Sequence, residues 1–368
     1  MKDKNLPNDY NSLSLEELTT EANKMIEELE NQKDLGNSLD KYQDLIKLNN
    51  IIEKKFQKNT KEINEKTKEK ISKINKKKMQ RKLNKIAKDT NLFLRRFIAK
   101  QKKSNLIVAM KYGLFSGGKK IRSKILIDVG SLFKLDYKTL IVIGAAVECI
   151  HAYSLIHDDL PCMDDDSIRR GKPSAHVKFG EATAVLAGNS LLTMAFEILS
   201  HKDLRISEKI KIDLINKISE SSGHLGIAGG QYLDLNYERK KISKKKIEEM
   251  EIKKTGKLFS FCCAAPLIIK KKNKSDINKF ENIGADIGLL FQVADYLIDY
   301  KGSLLVAGKK TGKDKKKGKA TLISLLGYKN TIKYANNLIL KINSKLKKYG
   351  PKSRNLSETL NYILNRNK

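Results

Sequence analysis

An all-α protein is what the sequence predicts, on three observations. The 368 residues include only five prolines. They are rich in Lys, Leu and Ile, which favour helix over sheet. Long apolar stretches such as "AVLAGNSLLTMAFEIL" (184–199) show none of the alternation a half-buried strand requires. The length suits one large domain or two unequal ones, and a 40% hydrophobic fraction suffices for a sizeable core.

Taken in order, the first helix is expected where Leu15, Leu18, Ala22, Met25, Ile26 and Leu29 recur at three- and four-residue steps. The turn residues of "NQKDLGNS" (31–38) interrupt it. A second helix follows, with Leu39, Tyr42, Leu45, Ile46, Ile52, Phe56 and Ile63 on roughly one side. Such a hairpin cannot bury both faces alone, so it requires a partner, another copy of itself or the following domain. A coiled-coil appendage without a specific role is the alternative. Residues 1–50 hold 6 lysines against 11 acids, a net of −5, whereas residues 51–90 carry a net of +10. The run "KEKISKINKKKMQRK" (68–82) therefore reads as a basic linker or as a solvated continuation of the helix. From Leu92 onward helical periods dominate.

The net charge of +32 fits nucleic acid, anionic lipid or phosphorylated small molecules as partners, or a general Lys-rich bias. Cys149, Cys162, Cys262 and Cys263 lack metal-ligand spacing and read as reduced thiols. The N-terminus has no signal-peptide core, and the most apolar run (140–156) carries Glu148 and His151. A cytoplasmic protein is the expectation.

The chemistry concentrates in "IHDDLPCMDDDSIRRG" (156–171), where five aspartates fall within nine positions. Pro161 ends the preceding helix, so Asp158 and Asp159 occupy its last turn, the negative end of the macrodipole. A divalent cation would relieve that placement, and hard oxygen donors suit Mg²⁺. Arg169 and Arg170 follow, and guanidinium forks fit phosphate oxygens. Carboxylates, an implied cation and paired arginines describe a diphosphate clamp, although an aspartate-rich loop alone is shared by calcium sites and plain surface loops. A second set, Asp295 and Asp299 in "FQVADYLID" (291–299), lies one helical turn apart. Basic segments accompany them: "SGGKKIR" (116–122), "KKTGK" (253–257) and "GKKTGKDKKKGKAT" (308–321).

In this order and combination these motifs resemble the trans-isoprenyl diphosphate synthases, most closely the bacterial farnesyl diphosphate synthases. The resemblance covers residues 80–368 and also rests on "GGQYLDL", "GKATLISLLG" and the ending "LNYILNRNK". It implies an isoprenoid-synthase-type helical bundle around a central cavity, usually a homodimer. By that resemblance Asp158, Asp159, Asp164, Asp295 and Asp299 would hold Mg²⁺. Arg169, Lys254 and Lys309 would bind the allylic diphosphate, and Thr255 and Gln292 would stabilise the carbocation. Lys119, Arg122, His151 and Arg170 would bind isopentenyl diphosphate, with Lys319 on the rim. Tyr153, followed by Ser154, lies five residues before Asp158, about 7.5 Å deeper along the helix, where a ring would floor the cavity for a fifteen-carbon product.

One departure stands out: the second motif of the family usually begins with two aspartates, and here the second is Tyr296. A non-catalytic regulatory subunit is therefore the contrasting reading, and a geranylgeranyl-type product the alternative length. A terpene cyclase would not be expected to keep Lys119, Arg122 and His151 together. Residues 10–70 resemble the small subunit of bacterial exodeoxyribonuclease VII, which implies a fusion and a nuclease large subunit as partner. The expected organisation is a hairpin over 1–70, a basic linker over 71–90 and a polyprenyl synthase domain over 91–368. Met79 stands where a separate synthase chain would begin.

Overall fold

A computed structural model describes residues 10–31, 38–305 and 321–366, and the chain divides into two compact units, Met1–Lys78 and Met79–Lys368. In the first, helix α1 (Leu15–Glu30) starts on a capping box: Ser14 Oγ accepts from the Glu17 amide at 3.2 Å, and the Glu17 carboxylate accepts from the Ser14 amide at 2.7 Å. Helix α2 (Ser38–Ala99) begins within this unit. Lys55 donates to the backbone carbonyls of Asn11 and Leu13, and Lys41 pairs with Glu28 at 3.2 Å. Leu18 and Leu48 are fully buried, but Tyr42, Phe56 and Ile63 are 57%, 59% and 64% exposed. The apolar face of this unit is thus left largely uncovered.

The expected basic linker at 71–90 is helix throughout. From Met79 onward it joins the core of the second unit, with Met79, Leu83, Ile86 and Thr90 at most 4% exposed. Their steps of four, three and four put them on one face, and the lysines between them occupy the other.

The second unit continues with α3 (Asn105–Leu114), α4 (Ile121–Leu132) and α5 (Tyr137–Asp158). A two-residue antiparallel ladder follows, Ile168 opposite Pro173 and Arg169 opposite Lys172. Next come α6 (Ala175–Phe179), α7 (Glu181–Ser200), α8 (Glu208–Ser222), α9 (Ile227–Asn236) and α10 (Lys244–Glu251). A π-turn (Ile252–Gly256) leads into α11 (Lys257–Ile269) and then α12 (Lys274–Leu305). The chain ends in α13 (Leu322–Leu326), α14 (Tyr328–Leu346) and α15 (Arg354–Leu364).

Helix α5 is the central element, buried on nearly every face and packed between α4 and α7. Both α5 and α7 are long and apolar enough to cross a membrane, but α5 is mostly buried within the unit itself, as befits a core helix. A buried triad ties the C-terminal helix to α4. Lys124 pairs with Asp128 and donates to Thr359 at 3.2 Å, while Thr359 donates to Asp128 at 2.7 Å.

Candidate active site

The C-terminal end of α5, the N-terminal end of α4 and the second half of α12 surround a cavity of about 620 Å³. Lys119, Arg122, His151, Arg170 and Asp295, expected from the sequence, all line it, joined by Lys120, Glu148 and Arg366. The loop before α4 is shaped by glycine: Gly117 and Gly118 have φ of 104° and 112°, conformations that side chains resist. A Cβ on Gly118 would also meet the Arg170 guanidinium at 2.9 Å. Arg170 is held there by Ser116 Oγ at 3.2 Å and by the Gly117 carbonyl.

Lys120, itself left-handed at φ 52°, forms a buried ion pair with Glu148 at 3.2 Å, and Ser123 donates to Glu148 at 2.8 Å. Arg122 Nη1 lies 3.3 Å from His151 Nε2. A guanidinium has no acceptor, so Nε2 accepts and the imidazole proton sits on Nδ1. Burial, then Arg122 and the neighbouring cations, hold His151 well below its usual pKa, so it is neutral. Arg122 also stands over the Phe259 and Phe291 rings, at 5.0 and 5.6 Å from their centroids. Among the described residues its Nε is buried without a partner, as is Arg366 Nε.

The aspartate loop folds back on α5: the Asp164 amide donates to the Asp158 carbonyl at 2.8 Å and the Asp166 amide to the Asp159 carbonyl at 3.2 Å. Arg169 grips Asp159 with both Nε and Nη2, its Nε at 3.0 and 3.1 Å from the two carboxylate oxygens. Asp158 is half-buried, and burial raises its carboxyl pKa to about 6, opposed by Lys254 and reinforced by Asp164 and Asp159. Among the described residues no three acidic, His or Cys groups are already gathered at metal-holding distance. The donor chemistry nevertheless fits Mg²⁺, because hard carboxylate oxygens that repel one another are relieved by a divalent cation.

On the facing side, Lys254 and Thr255 lie in the π-turn, a deviation often found at functional sites. The turn is pressed between two helices by glycines. A Cβ on Gly230 of α9 would fall 2.1 Å from the Lys254 amide nitrogen, and one on Gly288 of α12 would fall 2.4 Å from Gly256 Cα. Lys254 pairs with Asp234 at 2.6 Å. Gln292 donates to Glu251 at 3.0 Å, and Tyr296 donates to the same carboxylate. Asp295 pairs with Arg366, whose guanidinium stacks 3.8 Å from the Phe291 centroid. Asp299 lies one turn further along α12. Tyr153, 7% exposed, donates to the Ser222 carbonyl at 3.1 Å, and Ser154 donates to the His151 carbonyl at 3.0 Å. Lys309 and Lys319 lie outside the described residues.

Several residues at the site escape sequence reasoning. Asp234 and the buried Gln231, whose amide finds no partner among the described residues, belong to the "GGQYLDL" motif, which marked their place but not their roles. Glu251 and Arg366 carry no periodic signal of their own.

A polyprenyl synthetase family model matches residues 103–359, the stretch that holds nearly all of this geometry. The chain belongs to the polyprenyl synthetase family. A curated relative in this family, the farnesyl diphosphate synthase of Escherichia coli K12, is 41% identical over 288 residues, 76% of this chain and 96% of the relative. The solved structure of an FPP/GFPP synthase from Zymomonas mobilis is similar at a TM-score of 0.69 and 34% identity, covering 78% of this chain and 99% of its own. A geranyltransferase from Helicobacter pylori, solved with magnesium and isoprenyl diphosphate, matches at 0.65 and 31% identity, covering 77% and 96%. The all-α bundle of the second unit is that of the isoprenoid synthases.

Proposed function

We propose that the chain is an Mg²⁺-dependent prenyltransferase that condenses isopentenyl diphosphate with dimethylallyl and then geranyl diphosphate to give farnesyl diphosphate. The observation that carries this reading is the cation-lined cavity of Lys119, Arg122 and Arg170 beside the aspartate loop, because condensation requires two diphosphates in one chamber. A single-substrate cyclase needs only one. In this reading Asp158, Asp159, Asp164, Asp295 and Asp299 hold Mg²⁺, which when bound neutralises the leaving diphosphate.

The chain's own groups supply the rest. Lys254, Arg169 and Lys309 bind the allylic diphosphate, with Lys319 as a further basic residue of the site. The allylic C–O bond breaks with its electron pair going to the diphosphate. Oxygen dipoles of Thr255 and Gln292 face the cation, the double bond of isopentenyl diphosphate forms the new C–C bond, and a proton leaves to the released diphosphate. Neutral His151 and the fixed Arg122 hold the second diphosphate in place for that attack. The buried Tyr153, tied to the end of α8, supports a floor for a fifteen-carbon chain, a twenty-carbon product being the alternative length. A homodimer in the cytoplasm completes the reading, with Leu186 and Tyr232, 55% and 67% exposed, among the side chains a second copy would cover.

The deciding experiment is turnover of the purified full chain with isopentenyl diphosphate and geranyl diphosphate, with and without Mg²⁺. A fifteen-carbon product only with Mg²⁺ supports the reading. No turnover with folded protein favours the regulatory-subunit reading, with Tyr296 as its cause.

For the first unit we propose a docking role of the exodeoxyribonuclease VII small-subunit kind. The uncovered Tyr42, Phe56 and Ile63 favour it over a spacer. Co-purification of the full chain with a nuclease large subunit, lost on changing these three residues to Ser, is the test.

A further inference from the structure

Glu251 closes α10, 1% exposed, and forms no ion pair among the described residues. Its two carboxylate oxygens take different donors: Oε2 accepts from Gln292 Nε2 at 3.0 Å and Oε1 from the Tyr296 hydroxyl. Both donors lie on α12, one turn apart, so one helix face converges on a single buried carboxylate. Burial raises the Glu251 carboxyl to about 7, so above that pH the group is ionised and acceptor-only, facing two neutral donors. A carboxylate cannot donate, so the Gln292 nitrogen must face Glu251 and its Oε1 must face away.

The distinction matters in the prenyl transfer proposed above, on which this inference rests. An amide oxygen lowers the energy of a nearby cation, and an amide NH₂ raises it. We propose that Glu251 is a positioning residue, which fixes the Gln292 amide with its oxygen toward the allylic cation, and that Tyr296 holds Glu251 in that role. Tyr296, the departure from the usual second aspartate, is then a donor to a carboxylate supplied from α10 rather than a lost function. Packing supports the arrangement. Glu251 precedes the π-turn that Gly230 and Gly288 clamp, so its carboxylate starts from a backbone with little freedom to shift.

The test uses the full chain with isopentenyl and geranyl diphosphates, comparing wild type, Glu251→Gln, Tyr296→Phe and the double variant. Glu251→Gln keeps the shape but places an NH₂ against Gln292 or Tyr296, so one of them must reverse. The expected result is a kcat lower by about tenfold to a hundredfold, with KM for both substrates within about threefold. Its melting temperature should be at or above that of the wild type, because a buried charge has been removed. Tyr296→Phe should lower kcat less, and the double variant no further than Glu251→Gln alone, since Tyr296 acts through Glu251. Wild-type kcat in Glu251→Gln, a change confined to KM, or multiplying effects in the double variant overturns the inference. Should Glu251→Gln fail to fold, Tyr296→Phe decides by the same kcat-against-KM split. An inactive wild type defeats the prenyltransferase reading and this inference with it. An active wild type with an indifferent Glu251 defeats this inference alone.

Discussion

Asp128→Ala removes the acceptor at the centre of the triad that joins α4 to the C-terminal helix. Lys124, Asp128 and Thr359 are 2%, 4% and 0% exposed, so water cannot replace what is lost. Among the described residues the variant leaves the Lys124 ammonium only the Thr359 hydroxyl, at 3.2 Å. Stranding one partner of a buried ion pair costs about 3–5 kcal/mol. For a unit of this size each kcal/mol lowers the melting temperature by about 2–4 °C, so a fall of about 6–20 °C is expected. The control is the double variant Lys124→Met with Asp128→Leu, which replaces the pair by apolar groups of similar volume. Such replacements range from neutral to stabilising by about 1–4 kcal/mol, so the double variant should melt near the wild type or above it. Thermal melting followed by circular dichroism at fixed salt and protein concentration reads both. A single variant within about 2 °C of wild type, or a double variant as damaged as the single, would refute the argument that the stranded charge carries the loss.

Three further outcomes follow from the geometry. The Asp158 carboxyl, raised to about 6 in metal-free protein, must lose its proton to hold Mg²⁺, so Mg²⁺ affinity should weaken as pH falls through that value, and Asp158→Asn should remove this dependence together with most activity. The linked stability runs the other way: a raised folded pKa contributes stability that is full below the ordinary 3.8 and lost as pH rises through about 6, so metal-free protein should gain melting temperature from Asp158 on acidification. Gly230→Ala drives a Cβ into the Lys254 backbone at 2.1 Å and should cost about 1–3 kcal/mol in denaturant unfolding, with activity falling more than the stability loss explains. Tyr153→Ala opens the space beside α8, and chromatography of the products should show chains longer than fifteen carbons.

The helical fold was legible because its signal is local. Leu15, Leu18 and Ala22 state a three- and four-residue period, and Pro161 places the end of α5 within two residues of the observed Asp158. The aspartate loop and the Gly117–Arg122 segment were legible for the same reason, as short contiguous runs of unusual chemistry. Of the two readings of the lysine-rich stretch, linker or continued helix, the helix holds, but lysine density hides its spaced apolar set; Met79, Leu83 and Ile86 are separated by charges that belong to the other face. The π-turn at Ile252–Gly256 leaves no periodic trace, since one extra residue per turn comes from packing against Gly230 and Gly288. Partner choice was the least legible part. That Tyr296 meets Glu251, 45 residues earlier, and that Arg366 meets Asp295, 71 residues earlier, are products of the folded bundle.

The cation-lined cavity has a consequence for the empty protein. Lys119, Lys120, Arg122, Arg170 and Arg366 share one chamber whose acidic lining is Glu148 and Asp295, so their repulsion is built into the substrate-free state. A bound dianion relieves it, and a ligand at a hundredfold its Kd stabilises the fold by about 2.7 kcal/mol through mass action alone. Supply of starting material thereby sets the lifetime of the catalyst as well as its rate, because starved molecules open more often and are the ones that proteolysis removes.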